Sequence, residues 1–213
     1  KDYWETYKLG EKKMQDSMFF NFKYYEKVHK PDFKNYFIYF YNTQGKVVNY
    51  HSIPTISCYL DWDLTDNGEL LFGALYAKSS SDNTNKSHIF LYSNKGEILW
   101  EKETIENIWV SRISISSDAN FIAYTLYDIT DNCHNTYILN NKFENVFTIN
   151  CRVNANEYSF NSTDEYFFFH NGETIDIYNV ENWNLKGTIS GRFINYQNID
   201  IIPNTNYCIY IPY

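Results

Sequence analysis

Two kinds of turn alternate along this chain and return at nearly fixed intervals. One kind carries Ser/Thr-Asp or a close equivalent: Thr65-Asp66-Asn67-Gly68, Ser116-Ser117-Asp118, Ser162-Thr163-Asp164 and Pro203-Asn204-Thr205-Asn206. The other kind is built on Asn, with Gly in two cases: Asn42-Thr43-Gln44-Gly45, Asn94-Lys95-Gly96, Asn140-Asn141 and Glu181-Asn182. Asp and Asn side chains bond the backbone two residues on, and Gly supplies positive φ, so both kinds suit a reversal between strands. The runs between them are short and apolar or alternating, as in Ser111–Ile115 and Phe121–Tyr127. That is a strand pattern rather than a helical one. Asp66, Asp118 and Asp164 lie 52 and 46 residues apart, and Gly45, Gly96 and Asn141 lie 51 and 45 apart. Two independent markers therefore give one shortening period. A repeat of ~40–50 residues holding two hairpins is a four-stranded unit, repeated along the chain.

Only Glu11–Asp16 hints at a turn of helix; the rest reads as all-β. A chain of 213 residues suits one domain of this class. It can bury roughly 70% of its unfolded surface without disulfide or metal staples. Cys58, Cys133, Cys151 and Cys208 form no CxxC pair, which excludes a zinc ribbon or redox motif by spacing; scattered thiols are expected because a chain of this size needs no bridges, with two disulfides as the alternative. No charged-then-apolar leader opens the sequence, and we expect a removed leader or trimmed ends.

The segment Val110–Tyr124 resembles the inner strand pair of WD40-like and related bacterial propellers, which often read Ser-x-Asp-Gly before an apolar strand. Tyr158–Phe169 followed by Thr174–Val180 is similar. Asn94–Trp100 resembles the outer strand pair of quinoprotein-type repeats, where a Gly turn precedes an apolar strand ending in Trp. The resemblance covers most of residues 36–213. It implies an all-β chain folded as a β-propeller of four-stranded antiparallel blades, about four to five of them or part of a larger ring. Blades are expected at about 1–51, 56–102, 110–150 and 156–190 in a single domain, with 197–213 as a half-blade able to close the ring. Gly-His starts and Trp-Asp ends are missing, so the array is not a standard WD40 one, and the resemblance speaks to fold rather than ligand.

The net charge of −8 opposes nucleic acid, which needs a basic footprint, and opposes an anionic membrane surface. No apolar run approaches the ~20 residues of a membrane-spanning helix. Aromatic residues make up 20% of the chain, which suits pleated half-buried surfaces and would also suit a glycan-binding face. The P-loop, GxGxxG, HExxH and GxSxG patterns do not occur, and no cofactor or metal is expected. Asp61-Trp62-Asp63-Leu64-Thr65-Asp66-Asn67-Gly68 looks like a calcium loop, but its Gly is eighth rather than sixth and Phe72 stands where Glu is needed. Asp128–His134 gathers metal-capable side chains but reads as a turn.

Three arginines complete the inventory: Arg112, Arg152 and Arg192, in equal steps of 40. Each enters or precedes the first strand of an expected blade. In propellers that strand lines the central channel, so the resemblance implies three guanidinium groups at one channel mouth, flanked by Trp109 and Tyr196. Arg binds carboxylate or phosphate through a planar fork. The alternative is that each Arg pairs with a nearby acid. The favoured function is a non-catalytic binding or scaffold module, docking a protein partner or the remainder of a larger parent chain at the channel-mouth loops. An acidic or glycan ligand remains open. A carbohydrate-binding module is the first alternative. A propeller enzyme of glycosidase or lyase type is the second, with Asp61 and Asp63 as its first candidate acids.

Overall fold

The computed structural model describes residues 4–13, 19–27, 34–41, 44–55, 58–65, 68–78, 85–106, 108–151, 157–161, 163–171, 174–190, 199–201 and 208–210. Every regular element among them is a strand. Four antiparallel sheets follow one another, each with its strands in chain order. The first holds β1 (Trp4–Lys13), β2 (Phe19–Lys27), β3 (Lys34–Tyr41) and β4 (Val47–Thr55). The second holds β5 (Cys58–Leu64), β6 (Leu70–Lys78), β7 (Asn85–Ser93) and β8 (Ile98–Glu103). The third holds β9 (Ile108–Ile115), β10 (Phe121–Asp128), β11 (Cys133–Asn140) and β12 (Asn145–Cys151). The fourth holds β13 (Glu157–Phe160), β14 (Tyr166–His170), β15 (Thr174–Asn179) and β16 (Leu185–Ser190). The last hairpin, β17 (Ile199–Ile201) with β18 (Cys208–Tyr210), is a separate two-stranded sheet.

Glu11–Lys13 belong to β1 and not to a helical turn, because they pair with Asn21–Phe19 of β2 beyond a bulge. Residues 14–16 of that expected turn lie outside the described residues. The hairpin expected at 36–50 is completed from the N-terminal side by β1 and β2, within one sheet. The turn expected within Asp128–His134 is a tight one. Strand pairing continues from Asp128 to Cys133, and Asp128 Oδ1 accepts from the Thr130 backbone N at 2.8 Å, a local Asx-turn.

The chain divides into two compact units, residues 1–62 with 66–109, and residues 63–65 with 110–213. In each, sheets pack face to face. In the first unit Phe40 of β3 meets Tyr92 of β7 with ring centroids 5.2 Å apart. In the second, Ala123 and Ile138 of the third sheet join Tyr158, Phe160, Phe167, Phe169 and Val180 of the fourth in one cluster. Strand burial follows from this stacking. Second strands are covered on both faces, as at Ile122–Thr125 of β10 and Phe167–His170 of β14. Last strands are exposed along most of their length, as in β8 and β16. A strand buried on both faces needs a continuous apolar run, and Phe167-Phe168-Phe169 is one.

The hairpin turns share a backbone device. The turn before β4, β8, β12 and β16 puts one residue in the left-handed region: Gly45 (φ 76°), Gly96 (75°), Phe143 (63°) and Trp183 (57°). A register shift sits beside each, at Phe40/Tyr41, Leu91/Tyr92, Ile138/Leu139 and Ile177/Tyr178. This is a turn closed by a bulge whose left-handed residue is ordinarily Gly. The other hairpin type does the same at Gly68 (71°), Ala119 (61°) and Asp164 (54°). The repeat register is therefore set by conformation, which equates Asp164 with Ala119 and Gly68, and Phe143 with Gly45 and Gly96. Matching Asp to Asp, or Gly to Asn141, misses these equivalences by one or two residues.

Candidate functional site

Of the two acids that the sequence offers for chemistry, Asp63 is spent on joining neighbouring sheets. Asp63, at the end of β5, accepts from the Ser114 hydroxyl at 3.1 Å and the Ile115 backbone N at 3.0 Å through Oδ2. Its Oδ1 accepts from the Leu64 backbone N at 2.9 Å. Ser114 and Ile115 are buried on β9, where an unmet N–H is costly. Asp61, the other expected acid, accepts from the Trp62 backbone N at 3.0 Å. Asp63→Ala is expected to cost about 2 kcal/mol, since it strips a charged acceptor from a buried donor. Urea denaturation checks this, and an unchanged midpoint would return Asp63 to the list of candidate acids.

Asp164 makes a second clamp, this time from turn to turn. Its Oδ1 and Oδ2 accept from the Ser117 backbone N at 2.9 Å and the Asp118 backbone N at 2.8 Å. Where the equivalent turns have Gly68 and Ala119, the fourth sheet thus has a side chain that reaches back to the third. Trp183 does the same from the other turn. Its indole stacks on Phe147 of β12 at 5.3 Å and meets Phe121 of β10 edge-on at 5.4 Å. Between these two contacts lies a groove of about 700 Å³. Aromatic rings of Phe121, Tyr166 and Trp183 line it, together with Asp164, Glu165 and Glu181, and no Lys or Arg is among its lining residues. The Val180 backbone N donates to the Glu165 carbonyl at 2.9 Å, which brings Glu165 beside the Glu181 turn. Both side chains are exposed. A cleft of this volume is within the usual range for a ligand site.

No family model matches the sequence, and no curated protein is similar to it. Solved structures do match. The chain is 13% identical to a eukaryotic initiation factor, with a TM-score of 0.59 over 91% of this chain and 46% of that one. It is 16% identical to the β-propeller domain of the Trilobed protease from Pyrococcus furiosus, with a TM-score of 0.50 over 72% of this chain and 52% of that one. The chain has a β-propeller fold. It spans about half the length of each of these two structures. The four-stranded antiparallel sheets are those of such a fold.

In propeller terms the expected arginine site is only partly in view. Arg112 is half-exposed on the inner strand β9, with Nη2 3.3 Å from Glu157 Oε2 on β13. The Tyr158 hydroxyl donates to the Arg112 carbonyl at 2.8 Å. These contacts brace one inner strand against the next, the pairing with a nearby acid that was the alternative reading. Trp109 is half-buried at the start of β9. Arg152, Arg192 and Tyr196 lie outside the described residues. Sequence reasoning missed the groove because its decisive residues, Asp164 and Trp183, act through a backbone conformation that their side chains do not advertise.

The Asp118–Asp164 pair gives the groove's edge a defined titration order. Burial opposes the Asp118 charge, but hydrogen bonds from the Asn120 backbone, the Ser116 hydroxyl and the Asn120 side chain outweigh it, and its carboxyl lies below the usual range. Burial raises Asp164, helped by the Asp118 charge and opposed by the Ser117 and Asp118 backbone donors. The linked signs are opposite. Asp118 contributes stability above its ordinary value of 3.8, lost as the pH falls through its lower folded value. Asp164 costs stability above its raised folded value, and that cost is relieved as the pH falls through it. Carboxyl-carbon NMR titration is expected to show Asp164 protonating at higher pH than Asp118. The reverse order would show that the backbone donors, not burial and the Asp118 charge, govern Asp164.

Proposed function

We propose that the chain is a non-catalytic binding module, a scaffold that docks a protein partner on the turn surface of its blades. The observation that carries this is the groove between the third and fourth blades. Aromatic rings and acids meet there on turns held by clamps such as Asp164, while Asp63, the leading candidate acid for catalysis, is occupied between sheets. Rigid scaffolds that display side chains from turns suit recognition. Among the described residues the channel-mouth reading stands on Arg112 and Trp109, and the Arg112 guanidinium already faces Glu157. The groove is therefore the better supported docking surface.

Panning a displayed library of random peptides against the protein tests this, with a glycan array run in parallel. Enriched peptides whose binding falls on Trp183→Gly are expected. Glycan binding with no enriched peptide would replace the protein-docking reading by the carbohydrate one.

A further inference from the structure

Two carboxylates in the groove do no structural work. Among the described residues the Glu165 and Glu181 side chains make no hydrogen bond or ion pair, whereas both oxygens of Asp164 are engaged by backbone donors. They flank the half-buried Trp183 indole and the Tyr166 ring. Trp183 itself is in a conformation that a bulky residue seldom takes, at φ 57°. Strain of this kind persists where the surroundings fix it, often at binding sites. Gly45 and Gly96 occupy the same position without it. At Gly96 the turn closes directly on the preceding blade, through Asn49 Nδ2 donating to the Gly96 carbonyl at 2.9 Å. At Trp183 an open groove takes the place of that contact.

We propose that this groove receives a basic side chain, Arg or Lys, from an extended segment of a protein partner. The cationic head would sit between the Glu165 and Glu181 carboxylates. The aliphatic stem, or an Arg plane, would lie along Trp183. An aromatic face attracts a cation within about 6 Å of its centroid. Two carboxylates without a bound cation, in a groove without Lys or Arg, supply the complementary field, and the chain's net charge of −8 strengthens it at long range. A metal ion suits the place less well, since among the described residues no three His, Cys, Asp or Glu side chains are placed to hold one together. This inference rests on the protein-docking reading and adds the chemistry of the occupant.

The test uses three displayed nonapeptide libraries, random except at a central position fixed as Arg, Leu or Glu. The Arg library is expected to enrich at least about tenfold over the Glu library, and to lose that advantage as ionic strength is raised from 0.05 to about 0.5 M. The advantage is also expected to vanish on the Glu165→Gln/Glu181→Gln double variant. Both residues are exposed, so this variant is expected to melt as the parent does. Trp183→Gly, which restores the residue used at Gly45 and Gly96, is expected to reduce it, with Trp183→Phe as the folded control. Equal enrichment of the Leu library, unmoved by the double variant, would overturn the cation site and leave protein docking standing. Arg enrichment that survives the double variant would place the cation elsewhere and equally overturn it. Enrichment of no library would remove both this inference and the docking reading.

Discussion

Gly96→Ala is expected to lower stability by about 3–4 kcal/mol, and Gly45→Ala by about 1 kcal/mol, although both glycines hold the same backbone conformation. The pair separates two effects that usually act together. At φ 76° and 75° an L side chain is strained, and that cost is common to both. A Cβ added at Gly45 meets nothing within 4 Å. A Cβ added at Gly96 lies 2.6 Å from a ring carbon of Phe40 and 2.9 Å from Asn49 Cβ. Phe40 is buried against Tyr92, so its ring has little room to withdraw. The same shift would disturb the Asn49 bond to the Gly96 carbonyl. Chemical denaturation of both variants checks the difference. Equal losses would show that the turn at Gly96 moves away from the preceding sheet at little cost.

Phe167→Ala is expected to cost about 3–5 kcal/mol, the range for removing a fully buried aromatic ring. Phe167 is buried at the centre of the cluster that joins the third and fourth blades. Its ring lies 4.9 Å from Phe160, 5.4 Å from Tyr158 and 6.0 Å from Trp183, centroid to centroid. Phe160 and Tyr158 stand on β13 and Trp183 on a turn, so the vacated volume cannot collapse by a single rotamer change. Phe167→Leu keeps most of the volume and is expected to lose about 1.5 kcal/mol or less. Faster amide exchange on β13–β16 should accompany the Ala variant. A loss below 1 kcal/mol would mean that the two sheets close over the gap.

The strands and their order were legible because half-buried and fully buried strands leave distinct apolar patterns, and because Asn, Asp and Gly mark reversals. The blade of residues 58–103 reads almost directly from Tyr59–Trp62, Leu70–Tyr76, His88–Ser93 and Glu97–Lys102. The turn register was less legible. Asp118 and Asp164 look equivalent by residue type, yet Asp164 has the backbone of Ala119, and its carboxylate serves the neighbouring turn instead of its own. Phe143 and Trp183 stand where Gly is the expected residue, so a search for Gly or Asn passes over them. The groove was not legible at all. It depends on which side chains of successive sheets face one another, and no spacing along the chain encodes that. Arg112 is committed to Glu157, a partner 45 positions away that periodicity alone does not single out.

The left-handed turn position has a consequence for how such a chain can diversify. Gly45, Gly96, Phe143 and Trp183 show one backbone geometry tolerating hydrogen and large aromatic rings in different repeats. Where the neighbours leave room, as at Gly45, the position behaves as a socket, in which the main chain stays fixed and the side chain can be exchanged; at Gly96 the Phe40 ring fills that room. Duplicating a blade would copy the socket, and a single codon change could then furnish it with a new contact without redesigning any strand. A laboratory library varied only at Gly45, Phe143 and Trp183 would sample new surfaces on an unchanged frame, which makes the turn ends of the blades a natural place to graft recognition.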